Sequence, residues 1–146
     1  MINKKYLLFF YAILLMNMIS CVPDMMGGPV ILKPDEYSHV YEARETIILK
    51  AIAYVFKEKS MGTNVTIDQK NLRVVSDYLE SGGWRTKAAA SVKRLNWKEC
   101  EVSLFVITEK KTNTGWEIRR LLQKTQYDTI FEVIELRIYE EMSNIE

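Results

Sequence analysis

Residues 84–95 and 101–109 alternate in chemistry with a period of two, and this limits the possible folds more than any other feature of the chain. In the first segment Trp84, Thr86, Ala88, Ala90 and Val92 fall on one side, and Arg85, Lys87, Ala89, Ser91 and Lys93 on the other. In the second, Val102, Leu104, Val106 and Thr108 oppose Glu101, Ser103, Phe105, Ile107 and Glu109. Such alternation belongs to half-buried antiparallel strands. Joined through Asn96-Trp97-Lys98, the two strands place Lys93 opposite Glu101 and Arg85 opposite Glu109 on one outer face. Each pair of opposite charges contributes about 0.2–1 kcal/mol. A slip of one residue would drive charge into the core, so the register is well specified.

The flanking segments extend this hairpin into a sheet with helices. Residues 72–79 are rich in β-branched and aromatic side chains and run into the Ser81-Gly82-Gly83 turn; residues 64–68 form a shorter strand before them. Residues 116–122 follow the turn 112–115 as a last strand. A first helix is expected over 35–61, capped by Asp35, with Glu36 in its first turn, Lys57 and Lys59 in its last and Gly62 at C′. Val40, Ile47, Ile48, Ala51, Ile52 and Val55 give it one apolar stripe. A last helix is expected over 128–142, where Thr129 and Glu132 have capping-box spacing and Ile130, Ile134, Ile138 and Met142 recur at i+4. The fold class is therefore α+β: a four- to five-stranded antiparallel meander with an N-terminal and a C-terminal helix on one face. Ala88, Ala89 and Ala90 let a helix approach the sheet closely, Trp84 and Trp116 are expected to point inward, and Cys100 shares the core parity.

The N-terminus carries an address. Lys4 and Lys5 precede an uncharged run over residues 6–19, interrupted by Asn17, and then Ser20-Cys21. A basic start, a short apolar run and a small residue make a secretion signal. The run falls short of the roughly 20 apolar residues of a spanning helix. Met18-Ile19-Ser20-Cys21 resembles the lipobox of bacterial lipoproteins, with cleavage after Ser20 and lipid on Cys21; Met18, where that family usually has Leu, is a departure. An uncleaved signal-anchor is the other reading of these residues. The lipoprotein resemblance implies a signal peptide over 1–20, an acylated Cys21 with a Pro/Gly-rich tether over 21–34, and a single domain over 35–146. It also implies attachment to a membrane through N-terminal acyl chains, and Val22 after the cysteine fits sorting to the periplasmic face of an outer membrane. Loss of the signal takes the formal charge from +1 to −1, which leaves no electrostatic basis for binding nucleic acid. With Cys21 acylated, Cys100 has no disulfide partner, so stability must come from burial in a chain that is 48% apolar.

The order of elements also resembles a known module. A long helix ending near a glycine is followed by Leu72-Arg73-Val74-Val75-Ser76-Asp77-Tyr78, a basic strand with Arg85-Thr86-Lys87, an apolar strand, the Gly115-Trp116 step and a terminal amphipathic helix. Over residues 36–142 this is similar to the helix-grip modules of BamC-like outer-membrane lipoproteins. The resemblance implies protein–protein contact in the envelope and brings no catalytic residues with it.

No residue pattern points to catalysis or to a cofactor. His39 is the single histidine, so a zinc site or a Cys–His pair with Cys100 lacks its parts. Asp68 and Asp77 read as solvated strand ends, Gly27-Gly28 and Gly82-Gly83 lack the context of a phosphate loop, and Ser76 and Ser91 sit in no nucleophile elbow. Trp97 in the hairpin turn, with Phe105 and Ile107 on the outer parity, suggests an apolar surface for another envelope protein. The expectation is a non-catalytic, lipid-anchored binding or assembly module. The alternative is a carrier of an apolar ligand between the sheet and the first helix, marked by a cavity lined by Trp84, Ala88, Ala90 and Ile52.

Overall fold

A computed structural model describes residues 36–119 and 122–144. Its elements run β1 (Tyr37–Tyr41), α1 (Glu45–Glu58), β2 (Thr63–Asp68), β3 (Arg73–Asp77), β4 (Leu79–Ser81), β5 (Trp84–Arg94), β6 (Cys100–Thr112), β7 (Gly115–Arg119) and α2 (Lys124–Ser143). The architecture is α+β, an antiparallel sheet with two helices. The expected hairpin is its centre: β5 pairs with β6 from Trp84↔Lys110 to Arg94↔Cys100, with Lys93 opposite Glu101 and Arg85 opposite Glu109.

The sheet has seven strands, in the order β1-β6-β5-β3-β2, with β4 also on β5 and β7 also on β6. More strands form than expected because β5 and β6 are long, at 11 and 13 residues. At about 3.3 Å per residue each free edge accommodates two short partners in succession. On β6, β1 covers residues 100–104 and β7 covers 108–112. Between them the Val106 amide donates to the Tyr127 hydroxyl at 2.9 Å, so a helix side chain completes the edge that neither strand reaches.

Strand β1 corrects the sequence reading, which ran the first helix from residue 35. Tyr37-Ser38-His39-Val40-Tyr41 is aromatic and β-branched, and the edge of β6 supplies backbone partners for it. The helix starts at Glu45 behind Arg44, which gives no side-chain cap; its carbonyl receives the amides of Ile47 and Ile48 at 3.0 and 3.1 Å. The other end is also revised. The Ser60 amide donates to the Lys57 carbonyl at 3.2 Å and the Met61 amide to the Phe56 carbonyl at 2.9 Å, a Schellman closure. Ser60, at φ +52°, is the left-handed residue, not Gly62. Gly62 is required for a different reason: a Cβ there would lie 2.0 Å from the Ser76 Oγ.

Ser76 also explains why the expected strand over 72–79 divides into β3 and β4. Its hydroxyl accepts from the Ala88 amide at 2.9 Å and reaches the Met61 carbonyl at 3.2 Å, standing in for ladder bonds where β5 passes from one partner to the other. Helix α2 begins at Lys124, a turn before the expected start. Its capping box is Gln123 with Gln126, and Thr129 instead donates to the Thr125 carbonyl at 3.1 Å.

Both helices contribute to one core with the inner face of the sheet. Ile48, Ile52, Val55 and Phe56 of α1 and Phe131, Ile134 and Ile138 of α2 are buried with Val74, Ala88, Ala90, Val102 and Leu104. Cys100 is buried with them, as its parity predicts. The Tyr41 hydroxyl donates to the Phe131 carbonyl at 2.8 Å and ties β1 to α2.

Candidate functional site

Alternation places Trp84, Thr86, Ala88 and Ala90 on the inner face of β5, but α1 covers only part of that row. Near Ala88 and Ala90 the helix packs down and nothing is open. Helix α1 ends at Glu58, and beyond it the inner face at Trp84, Thr86, Val106 and Thr108 is roofed by the first half of α2 instead. Ile130 and Val133 form that second wall, with Leu122 before the helix. Val55 and Met61 close the side toward the core, and Lys59, Ser60 and Thr129 stand at the rim. The result is a cavity of about 740 Å³, within the roughly 300–1,000 Å³ range of small-molecule sites.

The chemistry of the walls is mostly aliphatic, with one indole. The Thr86 and Thr108 hydroxyls lie 3.3 Å apart across the strands, so the polar atoms of the cavity floor satisfy each other. Among the described residues no Asp, Glu or His lines the cavity. Of the residues expected to mark a ligand site, Trp84 lines it, whereas Ala88, Ala90 and Ile52 lie in the filled core. Val106, Ile130, Val133 and Met61 were not singled out as site residues. Their apolar periodicity reads as core, and only the early end of α1 leaves them open.

The residues expected to bind a partner fall in two separate places. Trp97 is 84% exposed at the tip of the hairpin, with the Lys98 ammonium 4.5 Å from its ring. The turn is held by the Asn96 Oδ1, which accepts from the amides of Lys98 and Glu99 at 2.8 and 2.9 Å. Trp97 neighbours the start of α1, around Ala43 to Thr46. Phe105 and Ile107 are half-buried on the outer face, five and seven residues along β6 from its start at Cys100. They do not join Trp97 in one patch.

Further along that outer face lies a cation–aromatic cluster. The Arg85 guanidinium is sandwiched between the rings of Tyr78 and Trp116, at 4.2 and 4.4 Å, and is ion-paired with Glu109. Trp116 therefore points outward, against expectation: its partner in the register is Lys111, of outer parity. The rings and the guanidinium cover Glu109, a carboxylate left only 8% exposed. The hydrogen bond that Arg85 donates to the Glu109 carboxylate holds the guanidinium pKa above its usual value.

The remaining polar candidates stand apart. Asp68 accepts from Asn71, whose hydrogen bonds hold its carboxyl below the usual carboxylate range, and Asp77 accepts from Asn64 at 3.0 Å. The two aspartates lie at opposite ends of the β2–β3 pairing. His39 is an exposed residue of β1 whose ring stacks 5.5 Å from that of Phe131. Burial pushes the Cys100 thiol up, which disfavours the nucleophilic thiolate. Ser91 is exposed on β5. Among the described residues no group of three or more His, Cys, Asp or Glu is placed to hold a metal ion. Among the same residues no helix is long and apolar enough to cross a membrane. Ser20 and Cys21 lie outside the described residues.

No family model and no curated protein matches the chain. Among solved structures it is similar to a TBP-like protein from Parabacteroides distasonis. The two are 13% identical over 75% of this chain and 92% of that one, with a TM-score of 0.38. A likeness at that level carries no statement about activity.

Proposed function

We propose that the domain is a non-catalytic carrier that holds an apolar ligand between the sheet and its two helices. A helix-grip-like reading of the fold fits this role, since such folds open a groove beside the gripped helix. The observation that carries the proposal is the cavity of about 740 Å³ between β5, β6 and α2, walled by aliphatic side chains and Trp84. In water such walls cost free energy in proportion to their apolar area, about 25 cal/mol per Å², and an apolar ligand removes that cost. The lipobox resemblance adds the setting: acylated at Cys21, the chain works from a membrane, with the periplasmic face of an outer membrane favoured by Val22.

The test is what the protein carries when purified from its own membranes. Mass spectrometry of the extract should find a lipid or other apolar compound in stoichiometric amount. Val133→Phe, which fills the cavity, should lose it while keeping the same circular dichroism. Equal amounts on both proteins would remove the cavity from the function.

A second reading is favoured by Trp97. An indole 84% exposed at a rigid hairpin tip is the kind of residue around which protein interfaces form. On that reading the tip docks another envelope protein. Trp97→Ser should then leave stability unchanged and abolish capture of that partner.

A further inference from the structure

We propose, on the basis of the cavity reading above, that the ligand is a single-tailed amphiphile with an anionic head group. The inference comes from where the charge lies around the opening. Lys59 stands at the rim on the α1 side. Lys110 is directly opposite Trp84 in the β5–β6 register, and its ammonium lies 5.4 Å from the Trp84 ring. These cations approach the same apolar cavity from different elements.

Two of the neighbouring acids are already engaged. On β7, Glu117 faces Lys110 across the ladder but pairs with Arg119 at 2.7 Å. On α2, Asp128 pairs with Lys124 at 2.8 Å. Neither Lys59 nor Lys110 has an ion-pair partner among the described residues. The mouth therefore carries two cations without an ion pair, over walls in which no carboxylate stands among the described residues. The early end of α1 leaves an apolar slot with cationic edges, which complements a molecule with a hydrocarbon tail and a negative head. Trp84 suits the boundary between the two, since it lines the apolar cavity and has the Lys110 ammonium over its ring.

The experiment uses the full chain in phosphatidylcholine nanodiscs, with empty nanodiscs correcting for partition of the probe into lipid. The methyl resonances of Val106, Ile130 and Val133 report cavity occupancy by NMR. Three probes of equal tail length are titrated: decanoate, decanol and decyltrimethylammonium. Decanoate should bind about tenfold or more tightly than the other two, the preference expected of a charge-assisted hydrogen bond. Lys59→Met with Lys110→Met should bring the three affinities together, and Lys59→Gln with Lys110→Gln should do the same if the methionine pair disturbs the fold. Equal affinities in the unmodified protein, or selectivity that survives loss of both lysines, would overturn the anionic class and leave an apolar site. Failure of all three probes to shift these methyls would overturn the cavity reading itself.

Discussion

At the scale of single residues, the turn after α1 carries the most information per side chain. Ser60 holds a left-handed conformation at φ +52° to close the Schellman motif, at a steric cost of about 1–2 kcal/mol for a residue with a Cβ. Ser60→Gly should therefore stabilise the domain by up to about 1 kcal/mol in urea denaturation, the gain reduced by the greater freedom of glycine in the unfolded chain. Gly62→Ala should do the opposite, by about 2 kcal/mol or more, since its Cβ would overlap the Ser76 hydroxyl and break the bridge to Ala88. Tyr41 links stability to pH. Burial, with a smaller contribution from Glu135, pushes its phenol well above the ordinary tyrosine range. A folded-state pKa raised above the unfolded one gives stability that is complete below about pH 10 and is lost as the pH rises past it. Tyr41→Phe should cost about 1 kcal/mol at neutral pH through the lost bond to the Phe131 carbonyl. Its stability should then fall less steeply than that of the unmodified protein above about pH 10, as read from denaturation midpoints across that range. Parallel curves would mean that Tyr41 titrates no differently in the folded state.

At the scale of elements, what was legible in the sequence followed from periodicity. The β5–β6 register was readable from charge alone because a one-residue slip would have buried Lys93 and Glu101. Charge reversal at Lys93→Glu should cost about 0.2–1 kcal/mol, and adding Glu101→Lys should restore it if the two are true neighbours. A double variant no more stable than the single ones would break the cross-strand assignment. Elements failed to show where tertiary partners decided the outcome. Residues 37–41 carry a signal that helix and strand share, and only the open edge of β6 selects the strand. The α2 cap does not show in the sequence because Gln123 is not among the usual capping side chains, while Thr129 and Glu132 have the usual spacing a turn later. The face of Trp116 is not legible in the sequence because an isolated short strand has no internal evidence of parity; its register on β6 turns it toward Arg85. The cavity was illegible for a similar reason. Val106 and Val133 have core periodicity, and whether a core position is filled depends on where α1 stops.

At the scale of the whole molecule, the proposed lipoprotein signal bears on the proposed role of the domain. On the lipoprotein reading, residues 21–34 separate the acylated cysteine from the domain, and fully extended they reach at most about 50 Å. On the proposed carrier role, a domain held that near a bilayer would load or release its apolar ligand at the membrane surface. Several acyl chains, each methylene contributing about 0.8 kcal/mol, make such an anchor stable where a single chain binds only marginally. Cys21→Ala should therefore leave the precursor uncleaved, since lipoprotein maturation requires the cysteine, and the precursor should be heavier than the mature protein on a denaturing gel. The processed form should partition into detergent and incorporate labelled palmitate, and the variant should do neither. If the variant still matured to the normal size and partitioned as before, residues 1–20 would act as an ordinary secretion signal and the membrane would have to be reached another way. If the unmodified chain itself ran at full length and the variant behaved as it does, the signal-anchor reading would replace the lipoprotein one. In that case residues 21–34 would still join the membrane segment to the domain, and the proposed carrier would draw its ligand from the same membrane.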